Sequence, residues 1–259
     1  MKNFNLTSSA LSILGAMGCA VGLVGCGGGG GASAPASVLP TTTLQGIWTG
    51  KVGSDAASAV VLSDGKAWLI ANSTPVQLYA ATLQGTSTGY SATGKQYTSG
   101  STAAPVTVSL AASATAKSSL NGTITPTGGL PTAYNFTYQN RYEIAALLSD
   151  IAGTWQGTQA ASAVVVEWVI SSAGVVSQGA NNSNGCIYTG TVAVHSVPVP
   201  VGVFDLTLRE SCTALSVTTV KDFVGIVVLN PATNATFAFT RSDAGHEGLE
   251  GYVQPTTKQ

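Results

Sequence analysis

One short motif occurs twice in this chain and constrains its fold more than any other feature. Residues 44–50 read LQGIWTG and residues 151–157 read IAGTWQG, so both follow the pattern apolar-x-Gly-x-Trp-x-Gly. The letters AASAVV also recur, at positions 56–61 and 160–165. A repeat of a little over a hundred residues predicts two related units in tandem. We place these units at residues 41–146 and 149–257.

The residues between the motifs favour short antiparallel strands. Tyr134, Phe136 and Tyr138 alternate with polar residues, which is typical of a strand with one buried face. The segment SDGK at 63–66 predicts a hairpin turn because the Asp-Gly pair tolerates positive φ. Seven or eight such strands in each unit predict an all-β protein of two small antiparallel barrels or sandwiches. The only helical pattern lies at 144–148, between the units.

The motif resembles part of the signature of the calycin barrels, the lipocalins and avidins. In that family a Gly-x-Trp on the first strand closes one end of the barrel, and an arginine near the last strand can lie over the indole ring. The resemblance implies that Trp48 pairs with Arg141 and that Trp155 pairs with Arg241. A generic β-domain with a core tryptophan is the alternative interpretation.

The first forty residues have the organisation of a lipoprotein precursor. Lys2 precedes an apolar run with no further charge, which is typical of a secretory signal peptide at 1–25. The run ends in Leu23-Val24-Gly25-Cys26, which resembles the lipobox of bacterial lipoproteins and implies that Cys26 carries the lipid. Five glycines follow, so residues 26–40 predict a flexible tether. An ordinary signal peptide with an incidental cysteine is the alternative.

The chain has four cysteines, of which Cys19 lies in the signal segment, as a weaker candidate for the lipid than Cys26, and the remaining two, Cys186 and Cys212, lie in the second unit. An even number of cysteines in an exported protein predicts a disulfide. A metal-binding pair is the alternative, but two cysteines without further Cys or His nearby do not form a structural zinc site. We therefore predict one disulfide and neither a metal nor a cofactor.

Few residues could carry catalysis. The segment GTSTG at 85–89 fits the Gly-x-Ser-x-Gly pattern of the nucleophile elbow, which requires a strand that turns into a helix, whereas its flanks are strand-like. The only histidines, His195 and His246, lie in the second unit. Since no nucleophile has an evident base, we predict that the protein is not an enzyme.

The composition also limits the choice of partner. Only 8% of residues are charged and the net charge is −1, so no basic patch is available for nucleic acid. The sequence favours an outer-membrane lipoprotein, bound to the membrane through its N-terminal lipid, that binds a small apolar ligand or an envelope protein. Glycine rather than aspartate after Cys26 implies the outer membrane by the lipoprotein resemblance, and leaves open which side the body faces. The alternatives are a structural or inhibitory lipoprotein with filled barrels and, more remotely, an envelope hydrolase.

Overall fold

The computed structural model describes residues 37–99, 101, 103–158, 164–183, 185–214, 217–230 and 234–259. The signal segment 1–25, the lipidation site Cys26 and most of the tether lie outside the described residues. Residues 160–163 of the second AASAVV segment also lie outside them. The described chain is all-β, as predicted, and forms two closed eight-stranded antiparallel barrels in tandem.

The first barrel contains nine strands, of which eight form the closed ring. They are β1 (Gly46–Val52), β2 (Asp55–Val61), β3 (Lys66–Ala71), β4 (Gln77–Thr82), β5 (Gln84–Gly85), β6 (Tyr90–Thr98), β7 (Val106–Thr115), β8 (Ser119–Pro126) and β9 (Thr132–Gln139). The ring closes where β9 pairs with β1 and where β4 pairs with β6, while the short β5 pairs only with β6. Closure leaves none of the eight ring strands with an unpaired edge.

The second barrel consists of eight strands in simple chain order. They are β10 (Gly153–Thr158), β11 (Val165–Ile170), β12 (Val175–Gln178), β13 (Cys186–Val194), β14 (Phe204–Ala214), β15 (Val217–Leu229), β16 (Asn234–Arg241) and β17 (Gly251–Lys258). The last strand pairs with the first.

The turn and strand predictions are confirmed, but the helical one is displaced. Tyr134, Phe136 and Tyr138 are buried on one face of β9, and Gly65 has φ of +84° in the turn between β2 and β3. The helical residues flank the predicted 144–148 segment and overlap it only at Leu148. A 3-10 turn covers Asn140–Glu143, and a single α-helical turn, α1, covers Leu148–Ile151.

The two barrels pack against each other through apolar outer faces. Strand β3 is buried at five successive positions instead of alternating. Its outward-facing Trp68 and Ile70 pack towards Ile226, Val228 and Ala238 of the second barrel, and the space left among these side chains is only about 40 Å³. Hydrogen bonds also join the two barrels. The Tyr97 hydroxyl donates to the Gly248 carbonyl at 3.0 Å, and the Ser63 hydroxyl to the Val197 carbonyl at 2.9 Å.

The tryptophan motif is structurally repeated, but the AASAVV match is not. In the first barrel, Lys51 lies three residues after Trp48 and pairs with Ala56 of β2, the first of the six letters. In the second barrel, Thr158 lies three residues after Trp155 and pairs with Val165 of β11, the last of the six letters. The two six-letter segments are therefore five residues out of register, and their similarity does not reflect equivalent positions in the barrels.

Candidate functional site

The motif tryptophan lies near the start of the first strand in each barrel. Trp48 and Trp155 are both fully buried. Their indole Nε1 atoms donate to the carbonyls of Leu44 at 3.0 Å and Ile151 at 2.6 Å, the apolar residues that begin the motif. This bond satisfies the one polar atom of a large buried side chain. The repeated pattern therefore encodes a buried tryptophan tied to the turn that precedes it, and we call this unit the plug.

The first glycine of the motif makes room for a side chain from the closing strand. A Cβ on Gly46 would lie 2.7 Å from the ring of Tyr138, and a Cβ on Gly153 would lie 2.7 Å from Cε of Lys258. Tyr138 packs edge-on against Trp48 at 5.2 Å between ring centroids. In the second barrel, Lys258 Nζ lies 5.4 Å from the centroid of the Trp155 ring.

The arginines that the calycin resemblance assigned to these plugs have other partners. Arg141 donates from Nη1 to Asn230 Oδ1 of the second barrel at 2.8 Å, so it contributes to the contact between barrels. Arg241 lies beside Glu250, before the start of β17, whereas Trp155 pairs with Lys258 at the end of that strand. The cation over Trp155 is therefore Lys258. The resemblance misled because β16, which carries Arg241, is the seventh strand of its barrel and not the last.

Arg241 organises a group of charges at the end of the second barrel away from Trp155. It donates to Asp243 at 2.6 Å and to Glu250 at 2.7 Å, and its hydrogen bond lowers the pKa of Asp243 to about 2. Lys221 Nζ donates to Glu250 at 2.6 Å. Burial alone would raise the pKa of Glu250, but hydrogen bonds from Lys221 and Tyr252 hold it below its ordinary value.

The predicted disulfide is confirmed near the same end. Cys186 and Cys212 face each other across β13 and β14 with their Cα atoms 4.1 Å apart. Glu210 is close to both sulfurs, and the three side chains could form a metal-binding group if the thiols were free. Since the sulfurs are bonded to each other, they are not the thiolates that a metal needs.

A cavity of about 180 Å³ lies inside the second barrel, between Trp168 and this charged end. Its wall contains five aromatic residues, the disulfide, two aliphatic residues and one carboxylate. The lining residues are Val166, Trp168, Cys186, Tyr188, Leu208, Glu210, Cys212, Phe223, Phe239 and Tyr252. The aromatic residues are in mutual contact, with Phe223 5.4 Å from Phe239 and 5.7 Å from Tyr252 between ring centroids. A few polar groups in a mostly apolar wall are typical of a small-molecule site.

Another cavity, of about 430 Å³, lies between the barrels and is less suited to specific binding. Its lining mixes small apolar and uncharged polar residues, such as Ala57, Ser58, Ile70 and Asn72. It also reaches Asn230, which directly precedes residues outside the described part of the chain. The cavity inside the second barrel is the better-defined candidate.

The two histidines do not form an accessible catalytic group. His195 Nδ1 lies 2.9 Å from Asp205 Oδ1, which is how a catalytic base is oriented. Its Nε2 atom, however, is buried and has no hydrogen-bond partner among the described residues, so a substrate would not reach it. His246 is half exposed in the turn after Arg241, where its Nδ1 lies 2.9 Å from Asp243.

The Gly-x-Ser-x-Gly segment is a turn between strands, as its flanks predicted. It connects β5 to β6, and the Thr86 amide donates to the Gly89 carbonyl at 2.8 Å. The Thr86 hydroxyl oxygen accepts a second bond within the turn, from the Gly89 amide at 3.1 Å. No helix follows the serine, so the segment lacks the geometry of a nucleophile elbow.

Sequence reasoning missed two carboxylates that the structure gives specific positions. Glu167, only 3% exposed, accepts from the Asn181 side-chain amide at 2.8 Å, and this bonding holds the pKa of Glu167 below its ordinary value. It ties the 179–183 loop to the outside of β11. Glu210 faces the cavity, and the two-residue alternation along β14, which continues through Leu206 and Leu208, is the signal that could have placed it there.

Within the described part of the chain, no helix is long and apolar enough to cross a membrane. No protein-family model matches the chain, and no curated protein sequence matches it.

Proposed function

We propose that this protein is a non-catalytic envelope lipoprotein whose second barrel binds a small, largely apolar ligand. The observation that carries the proposal is the aromatic cavity of about 180 Å³ in that barrel. This volume limits the size of the ligand, because it is smaller than the volume of typical ligand pockets, about 300–1,000 Å³. An apolar cavity of about 150 Å³ is nevertheless large enough to hold benzene. The ligand is therefore a compact molecule rather than a long acyl chain.

The proposed location rests on the sequence of the N-terminal segment. Lipid on Cys26 would hold the body at the outer membrane, because two or more acyl chains give stable anchoring. We expect Cys26→Ser to release the protein into the soluble fraction with an unchanged circular dichroism spectrum. Mass spectrometry of the wild-type protein should find the mature N-terminus at Cys26 with attached acyl chains. A Cys26→Ser protein that stayed in the membrane would contradict this part of the proposal.

Binding can be tested with toluene, a probe of suitable size, by titration calorimetry on the purified full chain. The cavity-filling variant Leu208→Phe should abolish binding, since Leu208 lines the cavity. Val220→Phe is the matched control, because Val220 is 42% exposed on the neighbouring strand. Overpacking can itself destabilise a protein by about 1–3 kcal/mol, so circular dichroism must show that both variants are folded. Toluene binding that both variants retain would place the site elsewhere.

The second candidate is a structural or inhibitory envelope protein that uses its barrels only as scaffolds. The cavity volume favours this candidate to the extent that it lies below the usual range for ligand pockets. The toluene titration distinguishes the two candidates. If the barrels are only scaffolds, the wild-type protein will bind no small apolar probe.

A further inference from the structure

We propose that the ligand of the second barrel is a small organic cation with an alkylated ammonium group, bound by the aromatic wall and by Glu210. This inference deepens the proposed function and depends on the cavity being a binding site. It is derived from the charge and the ring composition of the cavity wall.

Glu210 is placed on the inner wall by the strand ladder. It lies on β14 directly opposite Tyr188 of β13, and the Tyr188 hydroxyl donates to Glu210 Oε2 at 2.8 Å. The buried Leu206 and Leu208 precede it on the same face of the strand. The carboxylate therefore contributes a negative charge to a cavity whose other described lining residues are uncharged at neutral pH.

The cations nearest to Glu210 are bonded to other carboxylates. Lys221 lies directly opposite Glu210 in the ladder between β14 and β15, but its Nζ donates to Glu250. Arg241 donates to Asp243 and to Glu250. Arg209, the residue before Glu210, lies with its Nε 3.5 Å from Asp222 Oδ1. Among the described residues, these three cations and three carboxylates balance one another, and the charge of Glu210 remains uncompensated.

The aromatic wall favours a cation over other ligands. Trp168, Tyr188, Phe223, Phe239 and Tyr252 line the same cavity as Glu210. Faces of aromatic rings carry partial negative charge and attract alkylated ammonium groups, whose methyl groups also suit an apolar wall. An anion would be repelled by Glu210, and a neutral ligand would bury that carboxylate without an opposite charge. A cation has neither disadvantage.

The volume of the cavity sets the size of this cation. Since about 150 Å³ holds the six carbon atoms of benzene, about 180 Å³ holds roughly seven or eight non-hydrogen atoms. A trimethylammonium group with a short substituent has this size. The cavity therefore has room for a single head group of this kind.

The test compares two probes of the same shape and different charge. Choline has a quaternary nitrogen where 3,3-dimethylbutan-1-ol has a carbon atom. We expect titration calorimetry on the purified full chain to show choline binding at least tenfold more tightly than the neutral alcohol. Glu210→Gln keeps the acceptor for Tyr188 and removes the charge. It should weaken choline binding by roughly 10- to 100-fold, since bonds between charged groups contribute more than neutral ones. Binding of the neutral alcohol should be no weaker than in the wild type, because the variant no longer buries an unpaired carboxylate.

Glu247→Gln is the matched control, because Glu247 is an exposed glutamate in the loop before β17 and does not line the cavity. It should bind choline as the wild type does. If the neutral alcohol binds the wild type as tightly as choline, the inferred charge preference is wrong while the proposed apolar site stands. If toluene, choline and the alcohol all fail to bind, both the inference and the proposed function are wrong. Equal loss of choline binding in both glutamate variants would also overturn the role of Glu210.

Discussion

The two barrels share one end and differ at the other. At the plug, a buried tryptophan donates to a carbonyl four residues earlier in both barrels. Beyond it, the last strand of the first barrel adds the buried Tyr134 and Phe136, and the corresponding positions of the second barrel are Gln254 and Thr256. The plug is thus retained in both units, while the residues that fill the interior have diverged.

The divergence explains why the candidate site lies in the second barrel. In the first barrel, the ring of Tyr134 lies across Gly122, and its hydroxyl donates to the Ala111 carbonyl at 3.0 Å. In the second barrel, the aromatic residues come from other strands, including Phe223 on β15 and Phe239 on β16, and they surround a cavity. A stable plug at one end permits variation at the other, because the core around the plug already holds the strands together.

The largest effect should come from removing either plug. Trp48→Ala and Trp155→Ala should each reduce the free energy of unfolding by about 3–5 kcal/mol, because each deletes a fully buried indole and leaves a void. Urea titrations of the two variants should give losses that agree within about 1 kcal/mol. A much smaller loss in one variant would show that the two plugs are not energetically equivalent.

The next largest effect should come from removing the disulfide, which lies in the second barrel. The Cys186→Ala/Cys212→Ala double variant should be less stable by about 3 kcal/mol, since the bond closes a loop with a sequence separation of 26 residues. Dithiothreitol should lower the melting temperature of the wild type to about that of the double variant. It should leave the melting temperature of the double variant unchanged. Sensitivity of the double variant to the reductant would contradict this assignment.

A smaller effect should follow from removing the charge of Lys258, which lies beside Trp155. Lys258→Met keeps most of the apolar stem and removes the charge over Trp155, so we expect a loss of about 0.5–1 kcal/mol. Lys95→Met, on an exposed part of β6, is the control and should have little effect. Urea unfolding of both variants measures the difference. Equal stabilities would show that Lys258 contributes through its stem alone.

The smallest effect should be the part of the pH dependence that comes from Asp243 at the charged end of the second barrel. The pKa of Asp243 is lowered to about 2 by Arg241, below its ordinary value of 3.8. Its contribution to stability is therefore present above about pH 4 and is lost as the pH falls towards 2. The difference in melting temperature between wild type and Asp243→Asn should shrink over that interval. A difference that stayed constant from pH 5 to pH 2 would contradict the lowered pKa.

The sequence was sufficient to predict the architecture because its signals are local. The period of two in Tyr134, Phe136 and Tyr138 identifies a strand, and the spacing of the two tryptophans identifies the repeat. Partners across strands were not predictable in the same way. The calycin resemblance assigned Arg241 to Trp155 as an arginine near the last strand, but the ladder shows that another strand, β17, follows it. The candidate site depends on such pairings, since its lining comes from β11 and β13–β17.

The shared outer faces have a consequence for how the protein is made. Synthesis proceeds from the N-terminus, so the first barrel is complete at Gln139, about a hundred residues before Ala238 of β16 can cover its apolar side. In a protein exported as proposed, the barrels fold in the envelope, and Trp68 and Ile70 remain uncovered there until the second barrel has folded. A chain truncated between the barrels would leave these apolar side chains permanently exposed. The second half of the protein therefore supplies the cover that keeps these side chains of the first half out of water.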